Sequence, residues 1–250
     1  MTDCLSRTAK LTAADTETFA ESRNLYSGIC KRKGVYRMDK NYVKIPAVMN
    51  ANVSLKVIRG HFATSHSHIN CFFDITTMKT RCSEAHNVAS LLAMHYSVDT
   101  QVDTIICMDG TEVIGTYLAE ELTKSGILSI NAHKTIYVVS PEYIASGQII
   151  FRDNMQIALR GKHVLLLLGS ITTGRSLATI LESVRYYGAT VSGACAIFSA
   201  VDEVKGIKVA AAFHASDVPE YESYKTSDCP LCKKKIPIDA LVNSFGYSLL

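Results

Sequence analysis

The sequence predicts an α/β fold, a parallel twisted sheet flanked by helices, and three observations carry that expectation. Short apolar runs alternate with amphipathic stretches between residues 103 and 201. One run, His163–Leu168 (HVLLLL), is too apolar to face water on either side. Two of the amphipathic stretches end at a glycine placed where a helix stops.

Taken in order, Glu84–Tyr96 reads as a helix that precedes the repeating unit. Asp103–Met108 (DTIICM) is a short strand, closed by the turn signal Asp109-Gly110. Thr111–Ser125 sets Ile114, Leu118 and Leu122 four residues apart on one helical face, with Gly126 at the expected cap. Thr135–Val139 and His163–Leu168 are strands. Gly174–Tyr187 places Leu177, Ile180, Leu181 and Val184 on one face, and Gly188 closes it. Val191–Val201 is a further strand. Strands that alternate with helices in this way imply a sheet covered on both faces. No internal repeat is present.

The organisation expected is an N-terminal extension (1–50), an α/β domain (51–210) and a C-terminal extension (211–250) that carries a CxxC motif. Residues 1–45 are polar with weak periodicity, and Lys31-Arg32-Lys33 is a short basic surface cluster.

The 250 residues are 48% hydrophobic and 20% charged, with a net charge of +3, which excludes a disordered or low-complexity chain. So small a charge gives no basic field for nucleic acid, and no nucleic-acid partner is expected. The N-terminus lacks the basic and apolar regions of a secretory signal. The longest aliphatic run, Val164–Leu168, is far short of the ~20 residues that span a bilayer. A cytoplasmic protein without membrane contact is expected. The eight cysteines then read as reduced thiols, most of them in the core.

The chemistry concentrates after the HVLLLL strand, in Gly169-Ser170-Ile171-Thr172-Thr173-Gly174-Arg175-Ser176. A strand that passes through small hydroxyl and glycine residues into a helix makes an anion site, because free N–H groups and the helix dipole both favour negative charge. The loop is neither a Walker motif nor a GxGxxG turn.

This segment, Leu159 through Ser176, resembles the phosphoribosyl-diphosphate loop of type I phosphoribosyltransferases. The resemblance implies that Thr172, Thr173, Gly174, Arg175 and Ser176 cradle the 5-phosphate. Phe62–Asp74 (FATSHSHINCFFD) resembles the substrate segment of the orotate branch, with Phe72-Phe73 at its aromatic positions. Thr104–Met108, its turn and the helix after it resemble the diphosphate-loop unit. The likeness covers roughly residues 60–205.

The chain departs from the family in three places. Two adjacent acids expected before the loop, which hold the ribose hydroxyls and help place magnesium, are Leu168 and Gly169. The diphosphate turn, where the family usually has a lysine, reads Asp109-Gly110-Thr111-Glu112. The basic pair expected after the next strand is Val139-Ser140, and the flexible loop that follows would be Pro141–Asn154. Asp109 and Glu112 are therefore the candidate catalytic carboxylates, placed to face magnesium and diphosphate from another wall of the site. The bland reading makes Asp109 a turn residue and Glu112 a first-turn helix acid.

His61, His66 and His68 lie within eight residues. On a strand, His66 and His68 would share a face. Together with Phe73 they are the candidate base contacts; a metal pair or plain surface roles are the alternatives. Cys229-Pro-Leu-Cys232, followed by three lysines, resembles half of a zinc knuckle, with His214, another cysteine or a second subunit as candidate partners. The alternative is a reduced or redox-sensitive thiol pair.

The resemblance implies an orotate phosphoribosyltransferase-like enzyme. It would move phosphoribose from phosphoribosyl diphosphate to a pyrimidine-like base with Mg2+, as a homodimer, with Zn2+ at the cysteine pair. The alternative is a non-catalytic protein that binds phosphoribosyl groups or nucleotides and regulates a partner. Hydrolysis or phosphorolysis of a phosphorylated ribose is a third reading.

Overall fold

The computed structural model describes residues 42–250, apart from 97, 125–129, 133 and 145–147. Lys31-Arg32-Lys33 and the expected helix stop at Gly126 lie outside the described residues.

The chain opens with an antiparallel layer. Strand β1 (Val43–Ala47) pairs with the long β2 (Asn50–Ala63), which pairs in turn with β3 (His68–Asp74). Helices α1 (Thr76–Thr80) and α2 (Cys82–Ala93) follow. The repeating unit then runs through β4 (Thr104–Cys107), α3 (Glu112–Lys124) and β5 (Tyr137–Val139). A small hairpin, β6 (Glu142–Tyr143) and β7 (Ile149–Ile150), leads to β8 (His163–Ile171), α4 (Arg175–Tyr186) and β9 (Thr190–Ser199). The remaining elements are β10 (Glu203–Val204), β11 (Ile207–His214), β12 (Ser223–Tyr224), α5 (Pro230–Lys233), β13 (Ala240–Asn243) and β14 (Gly246–Leu249).

The second sheet has the order β10-β11-β9-β8-β4-β5. Five of its strands are parallel, and only β10 runs against its neighbour. This is the α/β architecture that the alternation of apolar runs predicts. Parity along each strand explains why both faces are buried. Ile105, Cys107, Leu165, Leu167, Cys195 and Ile197 pack on the side of α2 and α3. Ile106, Val164, Leu166, Leu168, Ala194 and Ala196 pack on the side of α4. Helix α4 contributes the predicted stripe of Leu177, Ile180, Leu181 and Val184, each fully buried and each contributing about 1.5–3 kcal/mol. It stops at Gly188, whose φ of 75° suits a left-handed cap.

The boundaries placed at 50/51 and 210/211 cut through β2 and β11. The reason is pairing that composition does not record. β1 adds to the edge of β2, while β13 pairs in parallel with the end of β2 and β12 with β3, so residues from both expected extensions complete the first sheet. Cys71, Cys107 and Cys195 are buried free thiols, as the apolar stretches around them predict. Burial pushes the thiols of Cys71 and Cys107 up to about 11 and about 12. Among the described residues no helix is long and apolar enough to cross a membrane.

Candidate functional site

In a sheet of this order the chain reverses direction of travel between β4 and β8, and ligands of such sheets sit beyond the carboxyl ends of the strands at that point. A cleft lies there. It is lined by Thr172–Ser176 after β8, by Asp109 after β4, by Thr64–His66 of the turn between β2 and β3, by Phe72-Phe73 of β3, and by the turn between β13 and β14.

The loop after β8 delivers its backbone to the cleft because Gly174 takes the N-cap of α4 in the left-handed region, φ 74°. A side chain there is excluded twice, by that φ and by Val204, whose Cγ2 lies 2.7 Å from where a Cβ would stand. Gly174 supplies no side-chain cap, and the first turn of α4 holds no acidic residue. Its N–H groups thus face the cleft without a competing carboxylate, beside the hydroxyls of Thr172, Thr173 and Ser176 and the exposed Arg175. This is a helix N-terminus arranged for an anion.

Leu168 and Gly169 stand at the positions of the missing acids. Leu168 is 1% exposed and belongs to the apolar layer beneath α4. Gly169 faces Asp109: a Cβ on it would lie 3.5 Å from the Asp109 Cβ and 3.1 Å from the Ile75 Cδ1. The space that a residue-169 side chain would enter is bordered by the carboxylate of Asp109. That carboxylate is held by two donors, the Ser244 hydroxyl at 2.8 Å and the Gly169 N–H at 3.4 Å. Asp109 itself sits at φ 62°, a conformation that Asp and Asn adopt more readily than other side chains.

Glu112 does not share this cleft. It is exposed at the start of α3 and accepts a hydrogen bond from the Ser140 hydroxyl at 2.7 Å, so it ties α3 to the end of β5. The expected flexible loop, 141–154, is anchored at both ends in its described part. Arg152 clasps Glu142 through contacts of 2.7 and 3.1 Å, and Ile149 and Phe151 are buried. The Arg152 hydrogen bond holds the Glu142 carboxyl below the usual range. Partial burial and the charge of Asp109 push the Tyr143 phenol up.

Of the base contacts expected, His66 and Phe73 line the cleft and His68 does not. His66 lies on the bend between β2 and β3, not on a strand, so the two-residue alternation fails there. His68 starts β3 and turns into a separate buried cluster. Phe73 packs on Phe198 with ring centroids 4.0 Å apart. In that separate cluster His68 meets His61, Cys229 and Cys232, and the four ligand atoms lie within 4.8 Å of one another. His214, a candidate partner of the cysteines, instead ends β11 near Asp202.

Two residues that pattern reading passes over, one behind the cleft and one in its lining, hold Asp109 in place. Lys79 of α1 is buried and donates to the carbonyl oxygens of Asp109 at 2.8 Å and Ser244 at 2.6 Å. Desolvation holds its ammonium below the ordinary lysine value, against the charges of Asp109, Glu112 and Asp74. Ser244 sits on the turn between β13 and β14, whose only sequence signal is Asn-Ser-Phe-Gly between two apolar runs.

No family model matches the chain. An orotate phosphoribosyltransferase of Chlorobaculum parvum is 31% identical over 187 residues, covering 74% of this chain and 88% of the relative. One from Chlorobium phaeobacteroides is 29% identical over 189 residues, with the same coverage of 74% and 88%. Among solved structures, an orotate phosphoribosyltransferase from Aeropyrum pernix aligns at 20% identity and a TM-score of 0.46, over 64% of this chain and 88% of that one. At the identity and coverage of the Chlorobaculum relative, the chain belongs to the orotate phosphoribosyltransferase family.

Proposed function

We propose that the chain transfers phosphoribose from phosphoribosyl diphosphate to a pyrimidine-like base. The observation that carries this reading is the juxtaposition of an anion-ready helix start, Thr172–Ser176, with the Asp109 carboxylate in one cleft at the switch point of the sheet. The 5-phosphate is assigned to the loop. Phe72, Phe73 and His66 are assigned to the base, on the opposite wall.

Transfer of this kind develops positive charge on the ribose ring. A fixed carboxylate in a partly dry cleft stabilises that charge, and the loss of one such group typically costs about 3–4 kcal/mol. Asp109 is the group assigned this role, in place of the acids absent at Leu168 and Gly169. Its two oxygens offer about four lone-pair sites, and the protein donors use two of them. A carboxylate with capacity to spare suits Mg2+, a hard cation that binds through one or two carboxylates and substrate phosphates. When bound, Mg2+ would neutralise the diphosphate leaving group beside Asp109. Glu112 is assigned a supporting part, holding α3 against Ser140. A homodimer belongs to the same proposal and is tested by sedimentation.

The test combines the protein, phosphoribosyl diphosphate, Mg2+ and a base panel that includes orotate and uracil, and follows diphosphate release. Turnover with one of the bases is expected. Thermal stabilisation by the phosphorylated ribose without turnover would instead support the regulatory binding reading. No stabilisation by any phosphorylated ribose overturns both.

A further inference from the structure

The geometry points to a closed Cys2His2 zinc site built from His61, His68, Cys229 and Cys232, which fastens the C-terminal segment to the substrate hairpin. Two ligands come from the ends of β2 and β3; of the other two, Cys229 is the N-cap of α5 and Cys232 lies within its single turn. The cysteines lie more than 160 residues further along the chain than the histidines.

The distances fit one ion. His61 Nε2 lies 3.1 Å from His68 Nδ1, 3.5 Å from Cys229 Sγ and 3.6 Å from Cys232 Sγ, and His68 Nδ1 lies 3.3 Å from Cys232 Sγ. A tetrahedron with ordinary Zn–N and Zn–S lengths has edges of about 3.4 Å between nitrogens and about 3.6 Å between nitrogen and sulfur. Four of the six edges therefore already lie near the lengths zinc requires, and the other two are within 4.8 Å.

The surroundings select the ligand form of His61. Its Nδ1 faces the Ile236 carbonyl at 2.9 Å and the Pro237 carbonyl at 3.2 Å. A ring nitrogen between carbonyl oxygens carries the proton, so Nε2 presents its lone pair to the cluster. This is the outer-shell arrangement by which backbone carbonyls orient ligating imidazoles. Both histidines and Cys229 are buried, and Cys232 stands at the rim. Two thiolates and two neutral imidazoles would balance a divalent ion, which leaves no net buried charge. Four protein ligands leave no open position, so the ion would be structural.

The attachment around the site is equally specific. Gly60, just before His61, leaves room for Asp239: a Cβ there would stand 2.7 Å from the Asp239 Oδ2. That oxygen accepts from the His61 N–H at 2.8 Å, and the Asp239 N–H donates to the His61 carbonyl at 2.8 Å. The chain next enters β13 and reaches the turn whose Ser244 holds Asp109. The ion would thus anchor the segment that supplies one wall of the cleft, without touching substrate.

The test uses the full chain, purified without a metal-binding tag. Elemental analysis is expected to find near-stoichiometric zinc. After removal of the metal, cobalt(II) is expected to give the intense visible bands of a tetrahedral thiolate site. His61→Gln and His68→Gln keep both thiols and are each expected to weaken binding by more than the roughly 10–100-fold that follows loss of an outer-shell partner. A metal-free chain with a Cys229–Cys232 disulfide overturns the assignment. So does a wild-type chain without the cobalt bands, which needs no variant to fold, or zinc retained in both histidine variants. None of these readouts uses phosphoribosyl transfer, so failure of the metal site and failure of the proposed reaction are separate results.

Discussion

Asp109 concentrates the chemistry of the cleft in one carboxylate, because neither Leu168 nor Gly169 supplies another. Asp109→Asn keeps the shape and tolerates the same left-handed backbone, so the fold should survive. The rate of diphosphate release, as kcat/KM, is expected to fall by about 10²–10³-fold, the usual effect of removing one electrostatic group from a transition state. A second substitution sharpens the prediction. In Asp109→Asn/Gly169→Asp the new carboxylate enters the space that Asp109 borders, once the Ile75 side chain gives way by a few tenths of an ångström. At least ~10-fold recovery over the single variant is expected, since neighbours that share a role are not additive. No recovery would mean that the position of the carboxylate, and not only its presence, matters. Gly174→Ala is the second test at this scale. Its left-handed φ costs about 1–2 kcal/mol for an L side chain, and the contact with Val204 adds to that. Chemical denaturation should show Gly174→Ala/Val204→Ala regaining only the part due to the contact.

At the level of the element, α4 carries a conflict that identifies its use. Arg175 opens a helix whose positive dipole end disfavours a cation, and no acid relieves it. Arg175→Glu should therefore stabilise the free protein by about 0.5 kcal/mol at low salt. It should also abolish the thermal shift produced by phosphoribosyl diphosphate, because a carboxylate then occupies the anion site. A rise in both quantities would place the phosphate elsewhere. This element was readable in advance because its signals are local: the Leu177–Val184 stripe, the Gly174 entry and the Gly188 stop all lie within fifteen residues. The same holds for β4, β8 and β9, whose apolar runs report burial on two faces. Pairing across the first sheet was not readable. β12 and β13 are two and four residues long and are recruited by strands some 150–180 residues earlier. His68 shows how local reading fails, since the bend at residues 65–66 breaks the alternation on which its facing depended.

Across the whole molecule, the cleft is a joint product of both sheets, and the C-terminal residues are the least visible part of it from sequence. Lys79, Asp109 and Ser244 come from three distant stretches, and the chain meets at one point: the Lys79 ammonium bonds both turns while Ser244 bonds the Asp109 carboxylate. A chain ending at Asp239 isolates this contribution. It keeps His61, His68, Cys229, Cys232 and the Ile236 and Pro237 carbonyls, so the candidate metal cluster stays complete. It loses β13 and β14, and with them Val242, Asn243, Ser244 and Gly246 of the cleft. Lys79 then gives up one of its two acceptors and is left more nearly unpaired, a deficit of about 1–3 kcal/mol for a buried polar group. The edge of β2 is uncovered at Phe62 and Ala63. The expected outcome is a lower thermal midpoint, zinc content equal to the full chain, and transfer activity reduced at least ~10-fold, as a displaced catalytic group implies. Elemental analysis, calorimetry and the diphosphate assay on the same preparation check it. Full activity in the shortened chain would remove the β13–β14 turn from the site, whereas joint loss of zinc and activity would show that the hairpin and the metal cluster are one cooperative unit.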